Sequence, residues 1–377
     1  MAQRNPGLIE GNRFKLGIFG TNCSGGLAFT RLPERWEADW DQNVVLAQMA
    51  DEVGIECLVP VGRWKGYGGA TDVNGTSFET ITWAGGLLTQ TRRINVFGTV
   101  HAPLFNPVMA AKMMVTVDHA GHGRFGINIV CGWNQGEFEM FGAVQQEHDG
   151  RYEQGQEWWE VVRQLWSGQG PVDHHGRFFD LKGLVASPRP WGERAPLMMN
   201  AGASPAGRAF AIRNSDLHFD ACGQPEQCIE RIAETKRLAL ENGHAIQVWT
   251  PISVICRPSQ RQAQEYVERV VEYADWEALD HLLEGATAQT GARSRPGYDL
   301  LSWRRNQNVR AILGYGGEYS VQGDPDHVAR ELGRLQAVGF DGVAISFIDY
   351  IPELAYFAQE VLPRLERMGL RKPVAAG

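Results

Sequence analysis

The chain has 377 residues, of which 43% are hydrophobic and 21% are charged. These values are typical of a soluble globular protein that is long enough to form one large core. Acidic residues outnumber basic residues by 44 to 36, which gives a formal net charge of -8. Because no run of Lys and Arg stands out in either half, nucleic acid is disfavoured as a partner.

Sequence signals of export, membrane insertion and metal binding were not found. Residues 1–10 have no apolar stretch, and no later segment approaches the roughly 20 apolar residues that span a bilayer. We therefore expect a cytoplasmic protein without a membrane partner. Six scattered cysteines without paired spacing predict buried free thiols. The closest histidine pairs, His119 with His122 and His174 with His175, lack supporting ligands, so no metal site is predicted.

From residue 14 onward, short apolar runs alternate with longer amphipathic stretches. This rhythm is typical of repeated βα units that form a parallel sheet. The predicted strands are Phe14–Phe19, Ile55–Val61, Ile94–Val100, Arg124–Val130, Leu197–Ala201, Leu217–Asp220, Gln247–Cys256 and Gly342–Phe347. The main predicted helices are Asp41–Val53, Ser77–Leu88, Pro107–Asp118, Arg151–Leu165, Pro205–Ile212, Pro225–Leu240 and Pro352–Arg367. Eight such units predict an α/β fold of the (β/α)8 TIM-barrel type.

Two stretches interrupt the rhythm. Pro171–Leu181 predicts a short hairpin appended after the fourth strand and its helix. The stretch 275–322, after the seventh strand, is long and glycine-containing and has no clear periodicity, which favours an active-site lid over a separate domain. No linker is apparent, so residues 1–377 are predicted to form one barrel domain with two insertions.

In parallel barrels, catalytic and binding residues lie at the C-terminal strand ends and in the loops after them. Two predicted helix starts in such loops are candidates for binding an anion. Ser204 begins a predicted helix after the fifth strand, and such a start can hold a phosphate. Arg151 and Tyr152 lie at the start of another predicted helix. A guanidinium is unfavourable near the positive end of the helix dipole, which suggests that it binds an anion. The alternatives are an ordinary helix cap at Ser204 and a surface ion pair of Arg151 with Glu147 or Glu153.

Polar and aromatic residues near the third and fourth strands form a second candidate group. Asn128 interrupts an apolar run, and its buried amide needs hydrogen-bond partners from a flat heterocycle or from the core. Thr99 and His101 face the same side of their strand because they are two residues apart. His101 is a candidate acid or base, or else a core or lid contact. Trp64 and Trp133 are candidates for an aromatic substrate wall or for packing.

Taken together, these segments resemble the bacterial luciferase-like flavin monooxygenases over nearly the whole chain. The branch most similar contains pyrimidine monooxygenase and dimethylsulfone monooxygenase, and riboflavin lyase is similar as well. The resemblance rests on the order and spacing of the segments 22–27, 66–68, 106–107 with 111–112, 123–133, 147–152 and 201–204. It implies a luciferase-like TIM barrel.

The resemblance also implies roles for single residues. Thr99 and Asn128 match the catalytic pair that flanks the reactive flavin nitrogen and the dioxygen pocket. Further residues match positions that bind FMN; the ring and ribityl contacts are Asn128 and Glu137, and the phosphate and ribityl contacts are Arg151, Tyr152, Ser204 and the backbone of Ala203.

Two positions depart from the pattern of pyrimidine monooxygenase. Arg63 stands where that enzyme has a flavin-contacting lysine, which keeps the charge but changes the geometry. Cys131 stands where it has a threonine, which alters the available flavin contacts. Trp64, His101 and Trp133 are the candidate substrate contacts.

The function implied by the resemblance is a two-component monooxygenase. Reduced FMN from a separate NAD(P)H:flavin reductase, with dioxygen as co-substrate, would oxidise and cleave a small molecule such as a heterocycle, flavin, sulfone or halogenated aromatic. The resemblance also implies a homodimer or homotetramer. Alternatives are a deazaflavin-dependent oxidoreductase on the same fold and a non-catalytic flavin-binding protein. A metal-assisted hydrolase is disfavoured because carboxylates are scarce in the predicted strands.

Overall fold

The structure is a computed structural model and describes residues 7–132, 134–290 and 319–374. Eight parallel strands close into a barrel. The barrel strands neighbour one another in chain order, and pairing of the last of them, Gly342–Ser346, with the first, Lys15–Phe19, closes the ring. All eight predicted strands are present, so the predicted TIM barrel is confirmed. The described strands are β1 Lys15–Phe19, β2 Cys57–Val59, β3 Asn95–His101, β4 Phe125–Val130, β5 Val172–His175, β6 Asp180–Leu184, β7 Leu197–Asn200, β8 Leu217–Phe219, β9 Gln247–Cys256, β10 Ser320–Gly323 and β11 Gly342–Ser346.

Helices alternate with the barrel strands, as the βα rhythm predicts. Those described are α1 Trp40–Glu52, α2 Thr80–Gln90, α3 Pro107–Ala120, α4 Gln135–Met140, α5 His148–Ser167, α6 Pro205–Asn214, α7 Ile229–Glu241, α8 Gln260–Glu272, α9 Trp276–Thr290, α10 Pro325–Ala337, α11 Tyr350–Glu360 and α12 Leu362–Arg367. Among these helices, none is both long enough and apolar enough to cross a bilayer.

Local sequence signals explain where several helices begin. Before α3, the Asn106 side chain accepts hydrogen bonds from two backbone N–H groups of the first turn, and Pro107 occupies the first helical position. Before α6, Ser204 does the same for Gly207, and Pro205 follows it. A side-chain acceptor followed by proline satisfies an otherwise unpaired N–H and sets the helical φ angle, so both starts are fixed by sequence.

Side chains from several strands fill the interior of the barrel. The residues packed there include Val59, Phe97, Met199, Trp249 and Ala344 from five different strands, and all five are buried. This filling is that of a packed TIM-barrel core rather than of a pore. Space for a ligand remains at the C-terminal ends of the strands.

The hairpin predicted after the fourth strand is present as β5 and β6, paired antiparallel. Its turn is held by Glu157 of α5, whose carboxylate accepts hydrogen bonds from the backbone N–H groups of Arg177, Phe178 and Phe179. A single carboxylate that accepts from successive backbone donors fixes a turn efficiently, because it satisfies several polar groups at once. The hairpin is therefore anchored to the helix that precedes it.

The stretch 275–322 has regular structure near both of its ends. Its first part forms α9, and its last residues form β10, which pairs in parallel with the second half of β9. The stretch therefore begins with a helix and ends with a strand, and its expected role as an active-site lid stays a prediction. The middle, residues 291–318, lies outside the described residues.

Candidate active site

A cavity of about 390 Å³ opens at the C-terminal ends of the barrel strands. Most of the residues predicted to form the site line it, which are Arg63, Thr99, His101, Asn128, Cys131, Arg151, Tyr152, Ala203 and Ser204. They come from the ends of four different strands, β2, β3, β4 and β7, or from the segments that follow them. Apolar side chains including Phe19, Phe219 and Pro251 complete the lining. A concave, largely apolar pocket with a few convergent polar groups is typical of a small-molecule or cofactor site.

Thr99 and Asn128 lie side by side on β3 and β4, where their backbones are in register. The Thr99 hydroxyl donates to the carbonyl oxygen of Pro60 at 2.8 Å, and it accepts a hydrogen bond from Asn128 Nδ2 at 3.2 Å. The hydroxyl has one proton, so its contact with Asn128 uses the amide nitrogen. Asn128 Oδ1 is buried and has no hydrogen-bond partner in the described part of the chain. This oxygen is therefore available to a bound molecule.

The second polar group of the cavity, the helix-start region, comprises Arg151, Tyr152, Gly202, Ala203 and Ser204. Arg151 Nη1 donates to the carbonyl oxygen of Gly132 at 2.6 Å, whereas Nε is buried without a hydrogen-bond partner among the described residues. The Tyr152 hydroxyl is hydrogen-bonded to Ser204, and burial raises its pKa, so it is protonated at neutral pH. The first N–H groups of α6 have no partner within the helix. A guanidinium, a phenol and a helix start are together suited to an anion.

The third group, the ion-pair region, comprises Arg63, Glu137 and His101. Arg63 Nη1 and Glu137 Oε1 are 3.0 Å apart, and each side chain is only 1% exposed. The same carboxylate oxygen accepts from the backbone N–H of Trp64 at 3.0 Å. The other oxygen lies 3.7 Å from His101 Nε2. Burial, with a smaller contribution from Arg63, lowers the pKa of His101 to about 3, so its imidazole is neutral at physiological pH.

Three predicted residues do not line the cavity. Glu137 lies behind it, and its carboxylate contacts Arg63 and Trp64 rather than the open space. The Trp64 ring contacts Phe105 and Phe141, with ring centres 6.1 and 5.0 Å away. Trp133 lies outside the described residues. Their predicted contacts with flavin or substrate stay predictions.

Sequence reasoning overlooked Asn200, which lines the cavity and is 2% exposed. It is a polar residue within a predicted strand, the same signal that selected Asn128. Phe19 and Phe219 were also overlooked, although each is the last residue of a barrel strand. Position at a strand end was the signal that could have identified both aromatic residues.

Cys131 is a buried thiol at the end of β4. Burial raises its pKa to about 12, which the nearby Arg151 opposes only in part. A protonated, desolvated thiol is a poor nucleophile and a weak hydrogen-bond donor. Cys131 therefore contributes shape more than charge to the lining.

A parallel eight-stranded barrel with a cavity at its C-terminal strand ends is the architecture of TIM-barrel enzymes. The chain belongs to the luciferase-like monooxygenase family, whose family model matches residues 16–342. The predicted family is thereby confirmed.

Individual relatives match along almost the whole chain. FMNH2-dependent dimethylsulfone monooxygenase of Pseudomonas fluorescens is 29% identical over 350 residues, 92% of this chain and 93% of the relative. Pyrimidine monooxygenase RutA of Enterobacter cloacae is 27% identical over 364 residues, 93% of this chain and 96% of the relative. Among solved structures, riboflavin lyase RcaE has a TM-score of 0.83 at 20% identity, covering 97% of this chain and 94% of that one. Both enzymes and the lyase belong to the branch that the sequence motifs predicted.

Proposed function

We propose that this chain is a monooxygenase that uses reduced FMN and dioxygen to oxidise a small organic molecule. The observation that carries the proposal is a pair of buried polar atoms at the cavity, Asn128 Oδ1 and Arg151 Nε, which have no hydrogen-bond partner among the described residues. Such atoms are costly unless a ligand satisfies them. A flat heterocycle with a phosphate tail brings both a hydrogen-bond donor and an anion, and relatives named for their dependence on FMNH2 align with nearly the whole chain.

The helix-start region would hold the phosphate. Arg151 provides a charge-assisted hydrogen bond, Tyr152 provides a neutral one, and the start of α6 provides backbone N–H groups. Asn128 would accept a hydrogen bond from the flavin ring, while Thr99 orients its amide. Reduced FMN, when bound, supplies the electrons that activate dioxygen. The chain's own task is to orient the ring and exclude water from it, and Phe19, Phe219 and Pro251 give the cavity apolar walls for this purpose.

Segment 275–322 is proposed to cover the cavity, and the contacts of α9 support this role. Asp275 Oδ2 accepts from both the N–H and the hydroxyl of Thr71 at 2.7 Å. His281 Nδ1 lies 2.8 Å from the carbonyl oxygen of Tyr67. These contacts join Asp275, the residue before α9, and His281 of α9 to the loop after β2. The same loop carries Arg63. The position of α9 is thus coupled to one wall of the cavity.

The substrate is proposed to be a small organic molecule whose carbon–nitrogen, carbon–sulfur or carbon–halogen bond is cleaved after oxidation. The names of the relatives support this range, since they oxidise a sulfone and pyrimidines. His101 is the proposed polar contact for such a substrate, because it lines the cavity and is neutral. A separate NAD(P)H:flavin reductase, a cytoplasmic location and a homodimer or homotetramer are further parts of the proposal.

Oxygen consumption tests the proposal. The protein is combined with a flavin reductase, NADH and FMN, and is screened against sulfones, pyrimidines, flavins and halogenated or heterocyclic aromatics. We expect one class to give product in step with oxygen uptake and an Asn128→Ala variant to lose that product. The matched control is Asn95→Ala, since Asn95 is also a buried amide of a barrel strand but does not line the cavity.

Three results would count against parts of the proposal. One is product formation by Asn128→Ala at the normal rate, which would remove Asn128 from the site. A second is tight binding of a deazaflavin together with rapid, unprotected reoxidation of reduced FMN, which would favour an oxidoreductase that does not use dioxygen. Strong FMN binding without substrate-dependent oxygen uptake in any class would instead identify a flavin-binding protein.

A further inference from the structure

The peptide of Gly202 is held by a buried side chain from β7. Asn200 Oδ1 accepts a hydrogen bond from the Gly202 N–H at 2.8 Å, and Asn200 Nδ2 donates to the carbonyl oxygen of Ile129 on β4 at 2.6 Å. Asn200 is 2% exposed. Both ends of its amide are therefore used, and the loop that follows β7 is tied to the neighbouring strand.

The other side of the same residue is held from β8. His218 Nε2 lies 3.3 Å from the Gly202 carbonyl oxygen, and His218 is 1% exposed. A carbonyl can only accept, so Nε2 must carry the proton of the imidazole. Nδ1 is then a bare acceptor, and it is buried without a hydrogen-bond partner in the described residues. Burial lowers the pKa of His218, which the charge of Asp220 opposes, so the ring is neutral at physiological pH.

Packing fixes Gly202 from a third direction. A Cβ atom placed on Gly202 would lie 2.7 Å from backbone atoms of Gly207, in the first turn of α6. A Cβ atom on Gly207 would lie 2.5 Å from the Tyr152 hydroxyl. The loop, the helix start and Tyr152 are thus in close contact, and a shift of Gly202 displaces the whole helix-start region.

We infer that Asn200 and His218 are positioning residues for the phosphate of the bound flavin. Neither is assigned a contact with the phosphate. Each holds one polar group of the Gly202 peptide, and together they set the place at which Ala203 and Ser204 present the start of α6 to the cavity. The inference rests on the proposed function, because it assumes that the anion at this region is the phosphate of FMN.

The test compares the affinities of oxidised FMN and riboflavin, which differ by the phosphate alone, in titrations followed by flavin fluorescence. His218→Leu removes the donor to Gly202, and we expect FMN affinity to fall about tenfold while riboflavin affinity changes less than about twofold. His218→Gln offers an amide donor at about the position of Nε2, so it should retain most of the preference for FMN. Gly202→Ala is an independent variant and should lose the preference by displacing the first turn of α6.

The outcomes separate the inference from the proposed function. If wild-type protein binds FMN and riboflavin equally, and Arg151→Ala changes neither affinity, the phosphate does not bind here and the proposed function fails with the inference. If wild type prefers FMN and Arg151→Ala reduces that preference, but His218→Leu and Gly202→Ala both retain it, the inference alone is wrong. Equal losses of FMN and riboflavin affinity in His218→Leu would likewise overturn it, because they indicate a purely structural role. Circular dichroism and thermal melting verify that each variant is folded.

Discussion

The helix-start region and the ion-pair region both contain a buried arginine, but they use it in different ways. Glu137 lies 3.0 Å from Arg63, so the charges of this pair cancel within the protein. Arg151 donates to the carbonyl oxygen of Gly132 but has no carboxylate partner among the described residues, where its Nε is also buried without a hydrogen bond. A buried charge without a counterion is unfavourable unless a ligand supplies one. The charge of the ion-pair region is thus balanced within the protein, whereas we propose that a bound anion balances the charge of the helix-start region.

The largest expected effect is on stability, and it tests whether Glu137 balances the buried charge of Arg63. Glu137→Ala leaves the Arg63 guanidinium buried without its carboxylate, so we expect the free energy of unfolding to fall by about 3 to 5 kcal/mol. Urea denaturation measures this change. A double variant, Arg63→Met with Glu137→Leu, should recover most of the loss because no charge remains buried.

An exposed pair provides the matched control. Arg261 and Glu265 are 2.8 Å apart on α8, with side chains 80% and 55% exposed. Glu265→Ala should change stability by less than about 0.5 kcal/mol, because solvent screens an exposed pair. If Glu137→Ala were as mild as this control, the carboxylate would not be balancing a buried charge.

The next effect is on ligand binding, and it tests whether the helix-start region binds an anion. Arg151→Ala removes a charge-assisted contact, so FMN affinity should fall by about 1.5 to 3 kcal/mol, or roughly ten- to a hundredfold. Riboflavin affinity should be almost unchanged. Calorimetric titration with both ligands measures the difference, and unaltered FMN binding by a folded variant would reject this role of Arg151.

The third effect is on the pH dependence of stability, and it tests whether the ion-pair region disfavours a charge on His101. Folded His101 has a pKa of about 3, whereas an unfolded histidine has a pKa of about 6.5. Between these values the unfolded chain binds a proton that the folded chain does not, so stability falls as the pH decreases below about 6.5. The contribution of His101 between pH 6.5 and 5 is about 2 kcal/mol.

Comparison with His101→Gln isolates this contribution from those of other titrating groups. Unfolding free energies of wild type and variant are measured at several pH values from 5 to 8. The difference between the two curves should be constant above pH 7, and wild type should lose stability relative to the variant below it, since the variant lacks the titrating group. Curves that stay parallel down to pH 5 would mean that folded His101 takes up a proton normally.

The smallest effect concerns the neutral donor of the helix-start region. Tyr152→Phe removes one uncharged hydroxyl, so FMN affinity should decrease by only about 0.5 to 1.5 kcal/mol. The protein should remain folded, because the aromatic ring keeps its packing against Phe210. A loss as large as that of Arg151→Ala would show that the hydroxyl, and not only the guanidinium, is essential for binding the anion.

Much of the fold could be predicted because it is written in local patterns. Alternating apolar runs identified all eight barrel strands, and the start of α6 follows from Ser204 and Pro205. β10 was overlooked because Val321 is the only apolar residue among its four, so it does not form an apolar run. Such a short strand depends on its partner more than on its own sequence.

Much of the candidate site was also predictable, but the partners within it were not. Arg63 and Glu137 were both selected from the sequence, as two separate flavin contacts. They are 74 residues apart, and only the closure of the barrel brings their side chains to 3.0 Å. The hydrogen bonds that Asn200 and His218 make to Gly202 also depend on the fold, since the two residues lie on different strands. Sequence motifs identified residue types at strand ends, whereas pairing between loops required the three-dimensional structure.

The hydroxyl of Thr99 determines how the Asn128 amide is oriented in the cavity. Its only proton is engaged by the Pro60 carbonyl oxygen, so Thr99 is an acceptor toward Asn128 and cannot serve as an acid there. The Asn128 amide is consequently locked with its nitrogen toward the wall and its oxygen unpaired. Any ring atom that meets this oxygen must bring its own hydrogen, and a bare ring nitrogen placed there would be repelled.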